Sequence, residues 1–356
     1  MRARVRSRVR ASVIIHHHPM ARRVHAFPCA NARASLATTN SRPTNARSIA
    51  PSSSSKTMTK RQSLAFAVAV AVASRARDAR AANDLIARVH ARDLRKPFVD
   101  LTRSTSANAQ TYPEWLEGEW RCEASFVGAE FPSRSASRAE VIRERNVPGF
   151  LRVSVAYVPD IGAPSVTYRA KFVRDGRGRV EEARGFNLRE IENAYAGKEV
   201  VDGDVEYDSE RDANRTTIRF KFATVPNAER VELFTNARES QTRESDGTFY
   251  ASETFRQMTL GYSTTYGVAR AQPTDYTHVW TYTPVRDASG GGGVNRVDVT
   301  LSTAGYLQPN EAMKFTASPR GNGAPIPQIG AASALTFEPV VLYSHVFTYT
   351  RVDGVP

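Results

Sequence analysis

Residues 111–356 alternate apolar and polar side chains in short runs, which Gly, Pro, Asn and Asp residues separate. In residues 165–173 (SVTYRAKFV) apolar side chains recur at every second position, and residues 216–222 (TTIRFKF) repeat the pattern with Ile218, Phe220 and Phe222 on one face. Period-two alternation is typical of strands that bury one face and expose the other. No helical pattern long enough for a crossover separates these runs, so we predict an antiparallel sheet around one core.

About ten runs of this kind can be counted, a number that favours a barrel or a sandwich. They are residues 120–128, 150–158, 165–173, 199–207, 216–222, 230–235, 247–260, 276–285, 295–303 and 340–352. In residues 150–158 (FLRVSVAYV), Leu151, Val153, Val155 and Tyr157 share the predicted apolar face. We therefore predict an all-β fold, an antiparallel β-barrel of about 8 to 10 strands.

Two segments have helical spacing instead. Leu85, Ile86, Val89 and Leu94 precede Pro97 and predict a short N-terminal helix followed by a linker, over residues 82–110. Residues 190–197 (EIENAYAG) predict the one internal helix. Residues 287–293 (DASGGGG) predict a flexible hairpin tip, and residues 318–333 predict a long surface loop, with a lid as the alternative.

The first 77 residues differ in charge from the rest of the chain, because they contain 15 Lys or Arg residues and no Asp or Glu. Together with many Ser and Thr residues, this composition predicts a disordered leader that begins with a chloroplast transit peptide at residues 1–58. A basic arm that binds nucleic acid, or a tail without a targeting role, is the alternative.

A second targeting signal is predicted at residues 59–81. Lys60 and Arg61 precede an apolar run from Leu64 to Ala73, and the small-residue pattern Ala79-Arg80-Ala81 follows. The run is about half of the ~20 residues that a membrane span needs, so it is typical of an export signal with a cleavage site. A buried helix is the alternative. Two signals in series predict the thylakoid lumen, by either the Sec or the Tat route.

Removal of the leader changes the charge balance of the chain. Its 16 basic residues and one acidic residue leave 33 basic and 35 acidic residues. Nucleic acid is therefore not a predicted partner, and no transmembrane segment is predicted in the mature form. Cys122 is left without a second cysteine, and His90, His278 and His345 lack the spacing of metal ligands, so no metal or cofactor is predicted.

The start of the sheet region carries a short motif. Gly118 and Trp120 (GEW) open the first predicted long strand of the region 111–356, and this Gly-x-Trp sequence resembles the lipocalin signature. Lipocalins pack an arginine of the closing strand over that tryptophan, and Arg351 matches this position, so the resemblance implies a barrel plug formed by Gly118, Trp120 and Arg351. An exposed arginine near the C-terminus is the alternative.

At greater length the chain resembles an uncharacterised, lipocalin-like family of thylakoid lumen proteins from plants and algae, with cyanobacterial relatives. The segments that carry the resemblance are YPEWLEGEW (112–120), FVGAEFP (126–132), RGFNLREIENAYAG (184–197), RVELFTNAR (230–238), SETFRQ (252–257) and YSHVFTYTRV (343–352). The resemblance implies a lumenal, lipocalin-like β-barrel over residues 111–356. The resemblance gives no indication of which activity the protein has, because the family has no established function.

Several polar residues are candidates for a ligand site. Glu253 shares a predicted strand face with Phe249, Ala251 and Phe255, where a carboxylate would have a raised pKa unless a cation paired with it. A structural ion pair is the alternative. Arg184 and Asn187 are candidates for binding an anionic head group or for anchoring a loop.

Aromatic residues also gather on two predicted faces. His278, Trp280 and Tyr282 share one face, and His345 lies on a similar one. Faces of this kind suit an isoprenoid, a quinone or a pigment if they point inward, and a docking partner if they point outward. The histidines would then titrate as the lumen acidifies.

The chain lacks a nucleophile elbow, a P-loop, a zinc motif and a dinucleotide fingerprint. We therefore expect a non-catalytic lumenal protein that binds an apolar ligand or serves as an accessory or assembly factor of a photosynthetic complex. The alternative is an enzyme that modifies a lipid or pigment, with Glu253, His278 or His345 as acid or base.

Overall fold

An antiparallel sheet of eleven strands, curled into a half-barrel, makes up most of the computed structural model. The structure describes residues 84–95, 108–144, 146–263, 269–286, 293–310, 312 and 336–352. The strands are β1 Thr111–Tyr112, β2 Gly118–Glu130, β3 Val166–Arg174, β4 Val180–Glu182, β5 Glu206–Asp208, β6 Ala213–Arg219, β7 Arg230–Thr242, β8 Phe249–Ser263, β9 Ala269–Arg286, β10 Val294–Tyr306 and β11 Val341–Arg351.

The strand order is β1-β4-β3-β2-β11-β10-β9-β8-β7-β6-β5, and every pairing is antiparallel. The predicted all-β antiparallel fold is confirmed. Eight of the ten predicted runs correspond to β2, β3 and β6–β11, and β1, β4 and β5 have only two or three residues each. The predicted strand 199–207 is mostly wrong, because only residues 206–207 belong to a strand and Gly203, with a φ of 68°, interrupts the run. The predicted leader (1–58 and 59–81) and the predicted loop 318–333 lie outside the described residues, as do residues 287–292.

Four helices whose bounds lie within the described residues accompany the sheet: α1 Leu85–His90, α2 Arg138–Arg143, α3 Arg184–Ala196 and α4 Ser209–Asp212. A 3₁₀ turn at Glu114–Leu116 precedes β2. The predicted short N-terminal helix is confirmed as α1, and it covers part of the outer, convex face of the sheet. Leu85 is buried there, and the Tyr306 hydroxyl of β10 donates a hydrogen bond of 2.7 Å to the Leu94 carbonyl.

Helix α3 packs on the inner, concave face of the sheet beside β3. It begins at Arg184, earlier than the predicted Glu190, and it ends at Ala196, where Gly197 with a φ of 67° caps the helix. The first turn was missed because Arg184 and Asn187 do not belong to an apolar stripe. They are nevertheless buried, together with Leu188 and Ile191.

The prediction of a strand at residues 150–158 is wrong. This stretch has no regular secondary structure, and it belongs to a segment that we call the plug, residues 147–161. Residues 153–159 are all buried, because the plug lies against the concave face of the sheet. The predicted strand 216–222 also ends early, at Arg219, and Phe222 is 85% exposed instead of facing the core.

Side chains of the sheet satisfy the backbone of the plug. The Ala156 N–H donates to the Tyr276 hydroxyl (3.2 Å), and the Gln257 amide donates to the Val153 carbonyl (2.5 Å). Three more side chains of the sheet hydrogen-bond to backbone carbonyls of the plug. Thr274 bonds the carbonyl of Ser154, Tyr343 that of Pro148 and His345 that of Ile161. Buried backbone groups require hydrogen-bond partners. In the plug, side chains of the sheet supply several of them in place of a neighbouring strand.

Gly149 leaves the space that the contact between Tyr343 and the Pro148 carbonyl needs. Gly149 has a φ of 88°, and a Cβ atom there would lie 2.7 Å from the Tyr343 ring. Only glycine tolerates both the left-handed backbone and this close approach. Gly149 and Pro148, at the start of the plug, and Pro159, near its end, oppose a continuous strand, although the residues between them alternate.

Replacement of Tyr276 by Phe tests the plug contacts. The Tyr276 hydroxyl accepts from Ala156 and donates to Gln257 (2.7 Å), so its loss leaves a buried amide and a buried side-chain carbonyl unpaired. We expect Tyr276→Phe to lower the free energy of unfolding by about 1 to 3 kcal/mol. Urea denaturation of the protein measures this.

Tyr250→Phe is the matched control, because Tyr250 is equally buried but lies on the opposite face of β8, away from the plug. We expect its effect to stay within about 0.5 kcal/mol. Equal effects of the two substitutions would contradict the assigned role of Tyr276.

Candidate functional site

Three of the predicted site residues meet in a buried ion network between the sheet and α3. Glu253 on β8 contacts the guanidinium of Arg184 at 2.6 Å and that of Arg238 at 2.7 Å. Arg184 also contacts Glu182 at 3.3 Å, and the Asn187 amide donates to the same carboxylate at 3.1 Å. Two cations and two anions therefore balance inside the fold, as buried charges require.

A β-bulge in β7 supplies the second arginine of this network. The register of β7 against β8 shifts between Thr235 and Ala237, so that Arg238 pairs directly with Glu253. Strict alternation from Val231 would point Arg238 outward. The bulge turns it toward the concave face, where its guanidinium also donates to the Asn108 and Ala213 carbonyls.

The two carboxyl groups of the network have opposite pKa shifts. Burial alone would raise the pKa of Glu253, but the charges and hydrogen bonds of Arg184 and Arg238 hold it at about 2. Burial raises the pKa of Glu182 despite the neighbouring Arg184, and the Tyr157 hydroxyl donates to this carboxyl at 2.8 Å. Glu253 is thus ionised and paired with two arginines. This arrangement is the structural ion pair that the sequence analysis gave as the alternative to a ligand site.

The two candidate histidines are buried on the concave face. His278 Nδ1 lies 2.9 Å from the Thr303 hydroxyl, and His345 Nε2 lies 3.3 Å from the Ile161 carbonyl. Burial lowers the pKa of His278 to about 3 and that of His345 to about 4. Both rings are therefore neutral between pH 5 and 8. The expectation that they titrate as the lumen acidifies does not agree with these positions.

The predicted aromatic face points inward, but the plug and α3 fill the space in front of it. The Tyr157 ring of the plug lies 5.6 Å from His278 and 6.0 Å from Trp280, and Tyr282 stacks at 6.0 Å from Trp280. The cavity left between Trp280, Tyr282 and Glu253 has a volume of about 10 Å³. This is close to the space of a single water molecule.

Gly118, Trp120 and Arg351 lie together at one end of the sheet. The Arg351 guanidinium lies 4.4 Å from the centroid of the buried Trp120 ring and donates to the Glu117 and Trp115 carbonyls. Gly118 has a φ of 118°, and a Cβ atom there would lie 2.7 Å from the Arg351 Nη1 atom. This glycine therefore makes room for the cation–π contact.

A cleft of about 260 Å³ opens on the other side of the plug. Its walls come from the plug, from the C-terminal end of α3 and from residues 224–226. Glu192 of α3 lines this cleft and is only 2% exposed. Its Oε1 atom has no hydrogen-bond partner, and burial raises the pKa of Glu192 well above its usual value. A buried carboxyl group without a partner is rare in folded proteins.

Sequence reasoning missed Glu192. Its position four residues after Leu188 and three before Tyr195 places it on the stripe that α3 buries, and a helix predicted from Arg184 onward would have shown this. Among the described residues, no group of three or more His, Cys, Asp or Glu side chains could hold a metal ion. No helix in the described ranges is long and apolar enough to cross a membrane.

Glu192 makes stability depend on pH. Its folded-state pKa is raised, so above about pH 4.5 the native chain holds a proton that the unfolded chain has lost, and stability falls as pH rises. Glu192→Gln removes this contribution. We expect the stability of the variant relative to the unchanged protein to increase between pH 5 and 8, by at most about 1.4 kcal/mol per pH unit.

Denaturant melts at several pH values measure this difference. Glu190→Gln on the same helix is the control, because Glu190 is partly exposed and pairs with Arg169 at 3.1 Å. A constant difference between Glu192→Gln and the unchanged protein over this range would show that Glu192 is ionised in the fold.

Comparison with known proteins agrees with a family of unknown activity. Residues 105–327 match the model described as Domain of unknown function (DUF6816). No curated protein and no solved structure matches the chain significantly. The matched residues are more than half of the chain, and they include the plug, α3 and the Glu192 cleft. The chain therefore belongs to the DUF6816 family, a domain of unknown function.

Proposed function

We propose that the protein is a non-catalytic accessory or assembly factor in the thylakoid lumen, which acts on a photosynthetic complex through its surface. The observation that carries this proposal is the filled concave face. The plug and α3 take the place that a lipid, quinone or pigment would occupy in an open half-barrel, and about 10 Å³ is left beside the aromatic residues.

The buried polar groups support the same conclusion. Glu253 is held by two arginines, and Asn187 is bonded to the backbone of Lys171 as well as to Glu182. A catalytic acid or base needs a position within hydrogen-bond distance of a substrate. Glu253 and one ring nitrogen each of His278 and His345 contact neighbouring parts of the fold, and both rings are buried. The second ring nitrogen of each histidine has no hydrogen-bond partner among the described residues.

The lumenal location rests on the leader. The acid-free basic segment and the following apolar run are typical of two import signals in series, and the remaining chain is close to neutral. A lipocalin-like origin of the half-barrel is supported by the contact of Arg351 with Trp120 beside Gly118. Such a protein would have retained the contact between Trp120 and Arg351 that lipocalins have, while side chains filled its interior.

The experiment is expression of the full chain, tagged at its C-terminus, in a photosynthetic host, followed by thylakoid isolation and native gel electrophoresis. We expect the processed protein to co-migrate with a photosynthetic complex. A chain without residues 59–81 is the matched control, because it should reach the plastid, stay in the stroma and lose the co-migration.

Lipids and pigments extracted from the purified tagged protein distinguish the carrier from the accessory factor. We expect no long-chain lipid, prenylated quinone or pigment in stoichiometric amount, because the concave face leaves no room for one. A protein that migrates alone and retains one such large molecule per chain would overturn the proposal in favour of a carrier.

A further inference from the structure

The Glu192 cleft plays no part in the proposed scaffold, and it is the larger of the two spaces that α3 lines. Glu192 is 2% exposed there, and its Oε1 atom has no partner. The Tyr276 hydroxyl of the sheet already bonds Ala156 and Gln257. Within the described residues, the fold therefore leaves this carboxyl group turned toward the cleft.

The charges around the cleft do not supply a counter-ion. Arg152 at the rim pairs with Asp160 at 3.0 Å, and the two charges balance. Lys198 follows the end of α3 at the exposed edge. A carboxyl group buried without a cation keeps its proton, so it offers an O–H donor and a C=O acceptor. In folded proteins a buried donor without an acceptor is rarer than a buried acceptor without a donor. An acceptor atom of a ligand would pair with the O–H group of Glu192.

The walls of the cleft combine apolar and polar side chains. The apolar ones are Val153 and Pro159 of the plug, with Val200, Val225 and Pro226, while Arg152, Asp160, Lys198 and Thr224 add polar groups. A volume of about 260 Å³ approaches the lower end of the range known for small-molecule sites. Apolar surface with a few placed polar groups is the usual composition of such sites.

We propose that this cleft binds a neutral, largely apolar small molecule that directs a carbonyl oxygen to the carboxyl group of Glu192. The apolar part of the ligand packs between the plug and residues 224–226. A cationic ligand would have to ionise Glu192 in its buried position, and an anionic ligand would meet the same carboxyl group without a free cation at the floor. This inference is independent of the proposed accessory function.

The test is a ligand-observed NMR titration of the mature chain with 2,3-dimethyl-1,4-benzoquinone, a small ring with two carbonyl groups. 1,2-Dimethylbenzene is the comparison probe, because it has a planar six-membered carbon ring of similar size and the same two methyl groups, without the carbonyls. We expect the quinone to bind about 3- to 10-fold more tightly, as one added neutral hydrogen bond allows.

Variants of Glu192 identify the group that makes the contact. Glu192→Met fills the same volume without a donor, so we expect it to fold, to be at least as stable, and to reduce the preference for the quinone to about 1-fold. Glu192→Gln keeps a neutral donor and should retain the preference. Ala196→Phe narrows the cleft from the surface of α3 and should abolish binding while Glu192 is intact.

Benzylamine, a cation of similar size, tests the opposite possibility that Glu192 is ionised and binds a cation. Binding of this cation in preference to the quinone, with loss in Glu192→Gln, would overturn the proposal and identify an anionic site. Absence of quinone binding to the folded unchanged protein would overturn it as well. Neither outcome affects co-migration with a photosynthetic complex, so failure of the two proposals can be distinguished.

Discussion

The hydrogen bonds between the sheet and the plug are the constraint on which the rest of the structure depends. Residues 153–159 are buried without a strand or helix, so their backbone groups need partners within the plug or from other parts of the chain. The Val153, Ser154 and Val158 amides bond carbonyls inside the plug. Tyr276, Gln257 and Thr274 supply further partners from β8 and β9, and they fix where the plug lies.

The ion network extends the same attachment to α3. Tyr157 of the plug donates to Glu182, Glu182 contacts Arg184 at the start of α3, and Arg184 contacts Glu253 on β8. Burial of charge is costly unless every member is paired, so this arrangement tolerates few alternatives. Plug, helix and sheet are therefore held in one arrangement, and the same contacts that fix the fold exclude a large ligand from its interior.

Much of the sheet could be predicted from the sequence, because β3 and most of β11 bury one face and therefore alternate. β8 and β9 bury both faces near their centres, but polar residues such as Ser252 and Thr277 on one face keep the sequence alternating. The plug could not be predicted, because its alternating residues are all buried and several of its hydrogen bonds go to distant side chains. Arg238 could not be placed either, since a bulge reverses its face. For α3, the buried Arg184 and Asn187 depart from the apolar stripe on which helix prediction depends.

Amide hydrogen exchange of the protein tests the central claim most directly, because it reports whether the plug opens independently of the sheet. If the plug is an integral part of the core, the amides of Val153 and Ala156 exchange as slowly as those in the centres of β8 and β9. Exchange of the plug amides within seconds, while the strands stay protected, would contradict the account. The concave face would then be open to a ligand for part of the time.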